Sequence, residues 1–200
     1  MKNIIAFAGI ISLSTLAFAD GEDFSGQILW GKDFSDNSYI NTNFSNSELN
    51  YSKFSKATLT GANFTDSTIT NVNFSGVIDF TEEQLKSTKS YKDKNLRSIT
   101  FSDNDFSGWD FSGQNLEYSF MHDMTLVGTN FANADLTDVQ FVDSVFTNAD
   151  FSDAIVKGAA FHNATGLTYE QLKSTKSYQD KDLGSIGFYG YNLNGWDFSG

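Results

Sequence analysis

From Thr129 to Phe151 a large apolar residue falls at every fifth position: Phe131, Leu136, Phe141, Phe146 and Phe151. Two positions before each stands a small or β-branched residue: Thr129, Ala134, Val139, Ser144 and Ala149. A period of five fits neither ordinary element. On a helix, at about 100° per residue, five residues turn about 500°, so the apolar positions spiral round the axis and leave no stripe. On a strand five is odd, so successive large residues fall on opposite faces. A chain that turns a corner every five residues removes the conflict. Each piece is then one short extended side, with the large residue and the one two before it pointing inward. Four such sides close a coil of roughly twenty residues, and coils stack at about 4.8 Å.

The identities repeat at the same interval. Phe111, Phe131 and Phe151 form one series, and Leu116, Leu136 and Val156 another. Earlier in the chain, Phe24, Phe44 and Phe64 form a series, as do Phe34, Phe54 and Phe74, with Leu29, Leu49 and Ile69 between them. Like stacks on like, as a solenoid core requires. The expected structural core is therefore these Phe residues together with Leu136, Phe141 and Phe146.

Ala134-Asp-Leu-Thr-Asp, Ala149-Asp-Phe-Ser-Asp and Ala62-Asn-Phe-Thr-Asp share one pattern: a small residue, Asp or Asn, Leu or Phe, then two free positions. Here the sequence resembles the pentapeptide-repeat family, over roughly residues 22 to 78, 94 to 165 and 181 to 200. The resemblance implies an all-β solenoid, the right-handed quadrilateral β-helix.

A longer repeat lies over the short one. Asp23-Phe-Ser-Gly-Gln27 recurs as Asp110-Phe-Ser-Gly-Gln114 and begins again at Asp197-Phe-Ser-Gly200, each step being 87 residues. The units are 23–109 and 110–196, with a third beginning at 197. That third start predicts an array longer than two units, with an open coil end able to associate end to end. Within each unit the beat breaks once, at about 77–95 and 164–182, where Phe74 to Phe101 and Phe161 to Phe188 are 27 residues apart. Thr81 with Gln84, and Thr168 with Gln171, have capping-box spacing, and Phe80 with Leu85, and Leu167 with Leu172, have that of a hydrophobic staple. The spacing predicts a short helix at about 82–89 and again at about 169–176, as an excursion from the stack. A displayed recognition element and a spacer that re-registers the coil both fit, and the spacer is the simpler reading.

Met1 to Ala19 reads as a secretory signal peptide. Lys2 gives the positive start, Ile4 to Leu16 the apolar run, and Ala17-Phe-Ala19 the small-x-small cleavage site before Asp20. The run is shorter than the roughly 20 apolar residues of a membrane span. No span is expected after signal removal, and the expected location of domain 20–200 is secreted or periplasmic. The chain carries a net charge of −12, and losing Lys2 makes the rest more acidic still. That charge argues against nucleic acid as a partner. No cysteine is present to form a disulfide or thiolate site. Proline is absent too, as a ladder that uses nearly every N–H demands. In the first coil, however, the inward small positions hold Glu22, Gln27, Lys32 and Asn37. Such groups favour a polar cap that turns toward water.

A search for chemistry finds little. His122 and His162 both follow an inward position two coils apart, too far, at about 9.6 Å, to share a zinc. Both read as surface histidines. Most acids occupy the Asp/Asn position, where they hydrogen-bond a local turn. Asp103-Asn-Asp105 lacks the rest of a calcium loop. No Gly-x-Ser-x-Gly elbow occurs. Trp109 and Trp196 stand where the motif wants a small residue, and they read as filling a wider coil against the helix in preference to forming a binding platform. No catalytic residue, metal site or cofactor is expected, and no particular binding residue is marked. The expected function is an exported, non-catalytic structural or binding repeat protein acting on a protein or surface partner that the sequence does not specify. From the family resemblance comes a rival: some acidic members imitate duplex DNA and inhibit DNA gyrase, a cytoplasmic target. A glycan- or ice-binding solenoid is a second alternative, suggested by the row Ser35, Ser55 and Ser75 but interrupted by Asp33, Lys53 and Lys56.

Overall fold

The structure is a computed structural model that describes residues 20–198. The segment read as a signal peptide, Ala19 included, lies outside the described residues, and Asp20 stands exposed at their start.

Backbone pairing is parallel throughout and joins single residues one coil apart: Asp23 with Asn43, Ile28 with Glu48, Asp33 with Lys53, Ser38 with Thr58. These four pairs begin columns 1 to 4, in that order. Successive columns are five residues apart along the chain, so one coil takes twenty residues. Among the described residues no longer strand forms. The extended side expected of each pentapeptide shrinks to one paired residue, and the cause is the backbone two places after each large side chain. There φ is positive: 57° at Asp36, 55° at Asn41, 57° at Asn46 and 57° at Asp66. A left-handed residue at every fifth position bends the chain before a second ladder pair can form. The position left free by the motif is therefore constrained, and Asn, Asp and Gly recur there because they reach this region at least cost. Tyr51, Lys56 and Tyr118 also adopt it, at about 1–2 kcal/mol each, which the pairing above and below has to offset.

The inward rings build the core. Along column 1, Phe24 stacks on Phe44 at 5.3 Å and Phe44 on Phe64 at 5.2 Å; along column 3, Phe34 stacks on Phe54 at 4.8 Å and Phe54 on Phe74 at 5.3 Å. Between columns the rings meet edge to face, Phe44 and Phe54 at 5.3 Å and 87°. Both arrangements suit the aromatic quadrupole. Phe34, Phe44, Phe54, Phe64, Phe74, Phe111, Phe131, Leu136, Phe141, Phe146 and Phe151 are all buried, and Phe24 is half-buried at the edge of the described stack. Tyr39 joins them in column 4, wholly buried. Its phenol is pushed well above the ordinary tyrosine range, first by burial and then by the charges of Glu22 and Asp33. Gln27, Lys32 and Asn37 stand exposed and Glu22 half-buried, so the polar groups of the first described coil do turn toward water.

Ala62 is buried, and its carbonyl accepts a hydrogen bond from Gln84 Nε2 at 2.8 Å. Ala62→Leu is expected to overpack this corner and cost roughly 1–3 kcal/mol. Thermal unfolding checks this, and an unchanged midpoint would place residue 62 outside the core.

The breaks in the beat are where structure and sequence reading differ most. In place of one helix per break there are two: α1 (Glu82–Ser87) and α2 (Lys89–Lys92), then α3 (Tyr169–Ser174) and α4 (Lys176–Gln179). Thr88, at ψ 151°, ends α1 and starts α2. Its hydroxyl donates to Leu85 O at 2.7 Å and accepts from Tyr91 N at 3.1 Å. Nor do the helices leave the stack. Leu85, Thr88 and Ser90 are buried, as are Leu172, Thr175 and Ser177. The backbone ladder continues through the helices: Asp66 N donates to Ser87 O, Lys89 N to Ser67 O, and Ile69 N to the Ser90 hydroxyl. The coil simply takes 27 residues there, so column 3 pairs Asn73 with Thr100 and Ala160 with Gly187.

Candidate functional site

Gln84 fastens α1 to the wall. Its Oε1 accepts from Thr81 N at 2.7 Å, completing the capping box, while Nε2 donates to Leu59 O and Ala62 O, both at 2.8 Å. Gln171 repeats this, with Nε2 reaching Phe146 O at 3.1 Å and Ala149 O at 2.7 Å. Ser177 likewise repeats the role of Ser90, taking the N–H of Val156 at 3.0 Å. The nine residues that recur verbatim from Glu83 and Glu170 thus include a Gln and a Ser whose polar atoms are occupied alike in both copies, although Lys86 pairs with Glu82 and Lys173 with Glu170. This gives the excursions a structural role. One signal for it lay in the sequence: Glu serves a capping box as well as Gln, yet both copies have Gln.

Trp109 and Trp196 are half-buried. Trp109 stacks on Phe106 at 3.8 Å and lies 6.1 Å from Phe80; Trp196 stacks on Tyr169 at 5.5 Å. They pad the coil against the helices. Across Asp103-Asn-Asp105, Asn104 Nδ2 spans three carbonyls, of Phe74, Phe101 and Ser102, and Asp105 accepts from its own turn at Ser107. Among the described residues no three His, Asp or Glu gather as metal ligands, and no helix is long and apolar enough to cross a membrane. The Asp and Asn before each large residue mostly take the N–H two places on, as Asp33 takes that of Ser35 at 3.0 Å. The hydroxyl and N–H of Ser35 hold the Asp33 carboxyl below the ordinary carboxylate range. At Asp110 burial works the other way, but the hydroxyl and N–H of Ser112 outweigh it and its carboxyl is lowered too.

The surface that remains is the wall over column 3. Its pairs run from Asp33 through Lys53, Asn73, Thr100, Phe120, Gln140 and Ala160 to Gly187 without a break, while the helices interrupt column 1. Seven steps at about 4.8 Å make a face about 34 Å long. Its two halves differ. The first carries Asp33, Lys53 and Lys56 beside Ser35, Ser55 and Ser75. The second bears no charge on its paired residues, from Thr100 to Gly187, carries exposed Asp103, Asp123 and Asp143 at its corners, and shows Phe120, 47% exposed, and Tyr189, 77% exposed. His122 and His162 belong to this half, both only half-buried. Elsewhere some charges are paired: Lys86 with Glu82, Lys92 with Asp66 and Arg97 with Glu117, each at 2.8 Å, and Lys157 with Asp182 at 3.0 Å. Such exposed pairs add little stability.

Stacked single-residue pairs, a five-residue corner and one continuous outer wall define a β-solenoid repeat protein. The family described as pentapeptide repeats matches residues 40–77 and 129–165, in eight copies. These two stretches carry pentapeptide repeats. Three solved structures are similar. HetL, a pentapeptide repeat protein involved in heterocyst differentiation regulation from Nostoc sp. strain PCC 7120, is 14% identical, with 90% of each chain covered and a TM-score of 0.41. Full-length QnrB1, a plasmid-mediated fluoroquinolone resistance protein, is 12% identical, with 84% of this chain and 94% of that one covered and a TM-score of 0.41. A pentapeptide repeat protein of the Arabidopsis thaliana thylakoid lumen is 27% identical, with 66% and 70% covered and a TM-score of 0.27. No curated protein matches the sequence.

Proposed function

We propose that this chain is an exported, non-catalytic binding protein that presents the wall over column 3 to a protein partner. The observation carrying this reading is the continuity of that wall through both helical breaks, together with the exposed Phe120 and Tyr189 on its second half. Exposed aromatic side chains are frequent anchors of protein contacts. In this reading the coil is the right-handed quadrilateral β-helix of its family, and the helices keep the coils in register across the breaks. Export rests on Met1 to Ala19, with cleavage between Ala19 and Asp20.

A second reading, imitation of DNA to inhibit gyrase, is favoured by the net charge of −12. It requires the chain to stay in the cytoplasm, and it gains nothing from the exposed Phe120 and Tyr189. Cell fractionation with N-terminal sequencing separates the two. The expected result is a mature protein starting at Asp20 outside the cytoplasm. An intact Met1 in the cytoplasm, with salt-sensitive inhibition of gyrase, would replace the first reading by the second.

A further inference from the structure

At many coils a side chain accepts the N–H that follows the large residue, in one of two ways. Where the paired residue is Asp or Asn, its own side chain accepts, as Asp33 does for Ser35 and Asn73 for Ser75. Where the paired residue is not Asp or Asn, a side chain from the coil before can substitute. Asn50 Oδ1 takes Thr70 N at 3.1 Å across Thr68, and the Ser102 hydroxyl takes His122 N at 3.2 Å across Phe120. At the last break the paired residue is Gly187, and the acceptor for Tyr189 N is His162 Nδ1, at 3.0 Å. The two positions fit each other: a Cβ at residue 187 would overlap the His162 ring. One unit earlier the equivalent residues are Ser75 and Thr100, so the ring and the glycine that admits it are both particular to this joint.

Amide and hydroxyl oxygens accept at any physiological pH. An imidazole nitrogen does so only while it carries no proton. We propose that His162 is a pH-sensitive latch joining its own coil to the coil of Gly187 to Gly190. In the neutral ring Nδ1 accepts and Nε2 carries the proton. On acidification Nδ1 becomes a donor facing a donor, and the link to Tyr189 N is lost. The charged group on the coil before is Asp143, whose N–H donates to His162 O at 2.9 Å; on the coil after, the titratable group is the Tyr189 phenol, its ring 6.2 Å from that of His162. The Lys157–Asp182 pair stands on the adjoining column. The other bonds of the joint are between backbone groups, Phe161 N to Gly187 O at 2.8 Å and Asn163 N to Tyr189 O at 2.7 Å. The latch therefore loosens the far end of the wall without parting the coils.

Amide hydrogen exchange on the whole chain, followed by NMR and corrected for intrinsic rates, tests this. From pH 7.5 to pH 5, protection of the Tyr189 amide is expected to fall by about three- to tenfold, the worth of one hydrogen bond. Protection of the His122 amide, held by a hydroxyl, is expected to stay constant. In His162→Asn the amide oxygen accepts at both values, so the Tyr189 change should disappear. An unchanged Tyr189 amide in the parent, or an equal fall in His162→Asn, would overturn the proposal.

Discussion

Phe131→Ala is expected to lower folding stability by about 3–5 kcal/mol, the range for an aromatic removed from a packed core. Phe131 is wholly buried, with Phe111 stacked at 5.6 Å on one side and Phe151 at 5.3 Å on the other, and Phe141 edge-on at 5.8 Å. Both stacked neighbours are fixed by their own backbone pairs, so neither can slide along the axis to fill the space. A solenoid also has no distant layer that could collapse into the cavity, since each coil touches only the coils beside it. Urea denaturation of parent and variant measures the effect. A loss under about 1 kcal/mol, the size of an ordinary point change, would mean that the ring column does not form the core.

Gln84→Glu is expected to cost about 2–4 kcal/mol near neutral pH, although it keeps the capping box that Thr81 and residue 84 form. The loss comes from the other end of the side chain. Gln84 Nε2 serves Leu59 O and Ala62 O, and a carboxylate would set a charged acceptor against two carbonyls. The sign with pH follows. Those carbonyls favour the protonated form of the introduced carboxyl, so its folded pKa is raised above the unfolded value of about 4.3. The folded state then binds more protons, and the variant loses stability as pH rises through and above that value. Thermal melts between pH 4 and pH 7 should show the gap to the parent widening toward pH 7. A gap that is constant, or that narrows, would mean that the amide donors are not what fastens α1. The equivalent change at Gln171 should behave alike, because Gln171 reaches Phe146 O and Ala149 O in the same manner.

The joint at Gly187 shows why the candidate surface was less legible than the core. His162 read correctly as lying outside the core, because its place after an inward Phe161 settles that much. What it could not show was its bond to Tyr189, 27 residues on. The coil it joins has an irregular length, and the paired residue there is a glycine, which offers no side-chain acceptor of its own. The helices pose the same problem. Thr81 and Gln84 announce a helix start by local chemistry. Whether that helix stands off the stack or completes its wall depends on Leu59 and Ala62, more than twenty residues back.

By itself the sequence determined the period, and with it the coil of twenty, the inward columns, the 87-residue unit and the places where the beat breaks. Those follow from which residues are apolar, and a repeated pattern states that many times over. Tertiary structure decided the rest: the left-handed corner that reduces each side to one pair, the helices set into the wall, and the acceptors that N–H groups such as that of Tyr189 find. These depend on which polar atoms come within about 3 Å once coils of unequal length are stacked, and no single stretch of the chain contains both partners.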